Sequence, residues 1–211
     1  MVITGDPPFY AEDESDYWID YDPPDDPLAI CLTTLNQIVS LLTPKPSHID
    51  DPQLLNRMIF AQAITALETY LFDTLVRRVT TDRAALVRLL ERDKNINQEK
   101  FTLRAMAAND RFLEEQVRRY LGSVLYHNLE KVNFLYGAVF DFSMKASEPS
   151  WDLLLEAANY RHDCVHRNGV NSDGKKLLVF TPEYVGHVIK VIRGLVRRIE
   201  SQIAVDDDLP I

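Results

Sequence analysis

Eight consecutive positions, Arg161, His162, Asp163, Cys164, Val165, His166, Arg167 and Asn168, hold two imidazoles, two guanidinium groups and one carboxylate. Nothing else in the chain is so dense in groups that move protons or hold anions. A guanidinium keeps its charge at any working pH and presents a planar fork that matches a phosphate. An imidazole, with an ordinary pKa of ~6.5, both takes and gives a proton near neutrality. These are the two parts that RNA cleavage needs: a proton-transfer group, and a cation facing the charge that develops on the phosphate. RNA brings its own nucleophile, the 2′-hydroxyl, so this chemistry requires no metal and no cofactor. Arg161, His166 and His162 are the candidate catalytic residues, with Asp163 beside them.

A helix must present this segment. Ser150 is placed to cap one that runs through Trp151, Leu154, Leu155 and Ala158 to His166, and Gly169 to stop it in a left-handed conformation. Arg161 and His166 are five residues apart, roughly 140° around a helix of about 3.6 residues per turn. A single regular helix therefore splays them. Either the last turn unwinds near Gly169, or two copies of the motif face each other across a shared cleft. The second route predicts a homodimer.

The other elements read as helices too. Apolar residues at spacings of three and four mark 28 to 42, with Pro44 and Pro46 beyond it. Asp51 before Pro52 reads as a cap with proline at the first helical position, opening a long central helix through Leu67, Leu71 and Leu75 to Val79. Further helical stretches are expected at 82 to 92, 98 to 108, 110 to 126 and 128 to 142, and a last helix from Thr181-Pro182-Glu183 to about Ala204. Residues 175 to 180 are the one strand-like run and predict a short extended hairpin. The expected fold is all-α, an antiparallel helical bundle over 27 to 205.

Two tails flank that body. Residues 6 to 26 contain nine acids, no base and several prolines, a composition that predicts an extended tail over 1 to 26. Residues 206 to 211 form a second acidic tail. Between them lie 20 acids and 23 bases, so the formal charge of -9 belongs to the tails and the body is mildly basic, a balance compatible with RNA. The N-terminal tail, a tethered polyanion with interleaved aromatics, could dock over a basic groove and hold activity down. With two cysteines, no basic-then-apolar start and no apolar run of ~18 residues, the sequence predicts a cytoplasmic protein without a membrane partner.

The chain is similar to the HEPN superfamily, closest to its ribonuclease-LS/PSP-like bacterial branch, over most of residues 52 to 203. The family signature is Arg, four to six residues of which the first is polar, then His; Arg161-His162-Asp163-Cys164-Val165-His166 satisfies it. Ala66-Leu67-Glu68-Thr69-Tyr70-Leu71, His127-Asn128-Leu129-Glu130-Lys131-Val132, Val165-His166-Arg167-Asn168-Gly169 and Asp173-Gly174-Lys175 extend the likeness. The resemblance implies a helical bundle that dimerises through the motif-bearing helix and cuts RNA to a 2′,3′-cyclic phosphate and a 5′-hydroxyl. It implies that Arg161 holds the scissile phosphate, His166 transfers a proton, His162 orients Arg161 or contacts the phosphate, and Glu68 hydrogen-bonds the motif. It also implies bacterial defence or toxin-like growth arrest, with a regulatory partner protein. Toxins of this family silenced by adenylylation carry Tyr two residues after the His, where this chain has Asn168.

Other readings compete. The motif could be a charged helix end stabilised by the helix dipole, on a HEPN dimer that binds nucleotides or a partner protein without cutting. His162 and His166 have metal-ligand spacing, but no third ligand is placed with them. Gly169 to Lys175 imitates a phosphate loop, yet Lys176 stands where Ser or Thr is needed, and a helix precedes it instead of a strand. Cys164 reads as a small buried residue, Trp151 as core, and His48, His127 and His187 as structural or exposed.

Overall fold

The computed structural model describes residues 19 to 42, 51, 53 to 98 and 100 to 207. Most of the acidic N-terminal tail, His48, Pro44 and Pro46 lie outside the described residues. The all-α expectation is met: the described residues form helices with no sheet, and the one antiparallel bridge joins Val170 and Lys176.

The described chain gathers into two compact units. The smaller comprises residues 19 to 22 and 100 to 124, the larger 23 to 98 and 125 to 207. In the larger unit the helices are α1 (Pro27–Val39), α2 (Leu54–Thr81), α3 (Arg83–Arg92), the single turn α4 (Lys94–Asn97), α7 (Leu129–Phe140), the single turn α8 (Met144–Ser147), α9 (Trp151–His166) and α10 (Pro182–Asp207). The smaller holds α5 (Leu103–Ala107) and α6 (Phe112–Ser123).

Helix α2 is the centre of the larger unit. Its apolar residues are not confined to one stripe: Phe60, Ala63, Leu67, Leu71 and Leu75 form one row, and Ile59, Ala66, Tyr70 and Val76 bury other faces. A helix apolar on most sides must be surrounded. Helices α1, α3, α7, α9 and α10 all pack on it. Each fully buried Leu or Phe contributes about 1.5–3 kcal/mol relative to exposure. Among the described residues α2 alone is long and apolar enough to cross a membrane, and 72% of its apolar window is buried in this core.

Side-chain contacts fix the helix directions. Arg57 meets Asn168 while Glu68 meets Arg161, so α9 runs antiparallel to α2. Phe60 lies against Tyr184, and the Tyr70 hydroxyl donates to the Val196 carbonyl at 3.3 Å and to Glu200 at 2.9 Å; α10 therefore runs alongside α2 in the same sense. Arg88 and Arg92 donate to the carbonyls of Val139 and Gly137, so α3 opposes α7.

Caps account for several boundaries. Asp26 accepts from the Ala29 amide at 2.8 Å with Pro27 at the first position of α1, and Asn128 accepts from Lys131 at 3.1 Å to open α7. Thr181 opens α10 by accepting from Tyr184 at 3.2 Å. Two expected caps work differently. Asp51 is not the cap of α2, which begins after Gln53; it accepts from the Gln53 amide and is committed to Arg57 and Lys176. Ser150 precedes α9, but its hydroxyl makes no cap bond, and its own amide donates to Glu148 at 2.8 Å.

The hairpin is displaced from 175 to 180. It turns at 171 to 175, where the Asn171 side chain accepts from the Asp173 and Lys175 amides and Gly174 adopts φ +76°. Residues after it pair with no strand: Leu178 gives its carbonyl to Gln53, and Phe180 is buried against Phe60. The N-terminal tail ends in contacts of its own, since Asp25 pairs with Arg77 at 3.0 Å. The C-terminal acids Asp206 and Asp207 belong to α10. Within the smaller unit, Arg118 donates to the Tyr21 carbonyl and to Glu114, and Phe101 packs edge-on against Phe112.

Candidate functional site

The motif forms on the last turns of α9, which stays helical through His166. Its stop is set by backbone chemistry. The Asp163 carbonyl accepts from the amides of both Arg167 and Gly169, at 3.0 and 2.9 Å, after Asn168 and Gly169 turn left-handed at φ +53° and +77°. Buried Arg57 reaches across from α2, donating to Asn168 Oδ1 and to Asp51, both at 3.2 Å. Asp51 also takes Lys176 from the hairpin at 3.0 Å, and that contact, more than any other, holds its carboxyl below the usual range. One carboxylate thus ties the start of α2, the end of α9 and the hairpin together.

Arg161 lies one side of the helix from this anchor. Its Nη2 stands 3.3 Å from Glu68 Oε2 on α2, with the two side chains only 19% and 14% exposed. Burial pushes the Glu68 carboxyl up, and the Arg161 charge pulls it back. The contact uses one edge of the fork: Arg161 Nε and Glu68 Oε1 are both buried with no hydrogen-bond partner. Exchanging Glu68 for Gln keeps the shape but leaves the guanidinium without a counter-charge, and is expected to cost about 1–3 kcal/mol of stability. Urea denaturation monitored by circular dichroism measures it, and an unchanged midpoint would show that the pair contributes nothing.

His162 and His166 are exposed and adjacent, with ring centroids 4.7 Å apart and planes tilted by 43°, since four-residue spacing puts them on one helix face. A third imidazole joins them. His127, read from sequence as structural or exposed, lies 6.4 Å by centroid from His162. Burial lowers its pKa, and the charges of Arg161, His162 and His166 lower it further. Its position is set by its neighbours: Tyr126 packs edge-on against Phe72 of α2, and Asn128 caps α7. No spacing pattern links His127 to the motif, because only the packing of α2, α7 and α9 brings them together.

The remaining candidates sort themselves out. Asp163 turns to Arg167 at 2.9 Å and serves the helix end. The Cys164 thiol is pushed up to about 11 by burial, so it is a protonated, weak nucleophile at neutrality. Trp151 is in the core, its indole donating to Glu130 at 3.3 Å. Among the described residues no group of three His, Cys, Asp or Glu side chains converges on a metal position.

The site is therefore a half-open patch with one braced guanidinium and three imidazoles, suited chemically to a phosphodiester. Compared with family models, curated proteins and solved structures, the chain matches none.

Proposed function

We propose that this chain is a metal-independent endoribonuclease of HEPN type, with Arg161 holding the scissile phosphate and His166 transferring a proton. The observation that supports this reading best is the arrangement around Arg161: a guanidinium braced by Glu68 on one edge, on the same helix end as two exposed, adjacent imidazoles. In the reaction the 2′-hydroxyl loses its proton and attacks phosphorus, the bond to the 5′-oxygen breaks, and that oxygen takes a proton. The products are a 2′,3′-cyclic phosphate and a 5′-hydroxyl. His162 contacts the same phosphate.

The test is incubation of purified protein with mixed RNA in EDTA, followed by end-group identification. Cyclic phosphate and 5′-hydroxyl ends are expected; dependence on a divalent ion would refute the reading. Protein that never cuts, yet dimerises and binds a nucleotide, would be the binding module instead.

The active form is proposed to be a homodimer through α9. Because α9 does not unwind before His166, Arg161 and His166 of one chain remain about 140° apart around its axis. His162, Val165 and His166 form an exposed stripe at spacings of three and four, with Val165 53% exposed, which a second copy would cover. Light scattering at micromolar concentration is expected to give the mass of a dimer. A fully active monomer would end the shared-cleft argument.

A further inference from the structure

We propose that His127 is the general base of this site, taking the 2′-hydroxyl proton while a histidine of α9 protonates the departing oxygen. The inference rests on the RNA-cleavage reading above and adds to it a residue from outside the motif.

The chemistry demands two proton transfers at opposite sides of one phosphorus. Attacking and leaving oxygens stand in line, so the base and the acid must flank the phosphate and cannot be two rings in mutual contact. His162 and His166 are such a contacting pair, at 4.7 Å between centroids on one face of α9. His127 comes from another element, its ring centroid 6.4 Å from that of His162 and its plane tilted by 47°, so the two imidazoles approach from different directions.

The environments differ in the sense that the two roles need. His127 is half-buried, whereas His162 and His166 are exposed. The charges acting on His127 all come from α9: Arg161, and His162 and His166 when protonated. Burial disfavours a proton on His127, and each of these charges does so further, so the ring is held toward its neutral form. The Glu68 carboxylate from α2, which could oppose this, is engaged with Arg161. A neutral imidazole accepts a proton, and that is the role the base must fill. Among the described residues no hydrogen bond occupies either His127 ring nitrogen.

The experiment compares His127→Gln, His166→Gln and Arg161→Ala on ordinary RNA and on an analogue whose 5′-bridging oxygen is sulfur, all in EDTA. A thiolate leaves without being protonated, so it bypasses the acid and not the base. His127→Gln is expected to lose about 10²–10⁴-fold on both substrates, while His166→Gln recovers on the sulfur analogue. In His162→Gln, which removes one of the charges that lower the His127 pKa, the acid-side limb of the kcat/KM profile should move to higher pH; a merely structural His127 would leave it in place.

Recovery of His127→Gln on the sulfur analogue would assign it as the acid and overturn the inference. Wild-type rates in His127→Gln with Arg161→Ala inactive would overturn it while leaving the RNA-cleavage reading intact. Wild-type protein that cuts neither substrate would remove both. Unchanged melting and circular dichroism of His127→Gln keep a folding defect from imitating the expected loss.

Discussion

Arg161→Ala and His166→Ala are each expected to lower metal-independent RNA cleavage by about 10²–10⁴-fold, the usual range for removing a proton-transfer group or a cation facing a developing charge. The two losses should not add in the double variant, because groups that act on one transition state fail together. Arg161 needs a further control. Truncating it also strips the counter-charge from Glu68, which is only 14% exposed, so part of the loss could come from local refolding around α2. Arg161→Lys separates the effects: it keeps a charge beside Glu68 but lacks the fork that spans two phosphate oxygens. Strong loss in Arg161→Lys at wild-type melting temperature would place the defect in phosphate recognition. Rates are to be read as single-turnover cleavage with end groups identified. Two alanine variants that cut as fast as wild type would move the activity away from this site altogether.

Parts of this site are legible in the amino-acid sequence and parts are not, for definable reasons. Helix α2 is readable because its apolar residues recur over seven turns and its core role needs nothing else. Gly169 is readable because a left-handed stop follows a periodic run. Asp51 misleads: a cap and an ion-pair hub look alike in sequence, and only Arg57 and Lys176, 6 and 125 residues further along, decide between them. Residues 98 to 108 mislead in another way. Leu103 and Met106 have helical spacing, but no residue of the five-residue α5 is buried, which leaves no apolar face for packing to extend the helix. The single turns α4 and α8 are too short to show a period, although Asp93 and Ser143 cap them. The 23 bases of the body are a similar case: Arg77, Arg78, Arg118, Lys176 and Arg198 are committed to carboxylates of the fold, so a count of charges overstates what remains for RNA. His127 is the largest omission. The segment His127 to Val132 belongs to the family likeness, but nothing in it ties the imidazole to the motif, and the two come together only after α7 and α9 have packed on α2.

Gly169→Ala is expected to destabilise the fold by about 3–5 kcal/mol, and Gly174→Ala by only about 1 kcal/mol, although both glycines have nearly the same backbone angle. Gly169 has φ +77° and Gly174 φ +76°, so the strain of placing an L side chain in the left-handed region is common to both. The surroundings differ. A Cβ at Gly174 meets nothing within 4 Å, whereas one at Gly169 would lie 2.8 Å from Arg57 Cδ and Nη1. Arg57 cannot swing into solvent without consequence, since its side chain is 6% exposed and joins Asp51 to Asn168. Displacing it breaks a mostly buried ion pair and frees the loop that ends α9, immediately after His166. The pair of variants therefore separates backbone strain from the contact with Arg57. For a chain of this length each kcal/mol shifts the melting temperature by about 2–4 °C, so Gly169→Ala should melt roughly 6–20 °C lower and Gly174→Ala within about 4 °C of wild type. Equal shifts in the two variants would mean that Arg57 yields freely and does not anchor the motif. A much larger shift for Gly169→Ala, relieved when Arg57→Ala is added, would identify the guanidinium as what holds the end of α9 in place.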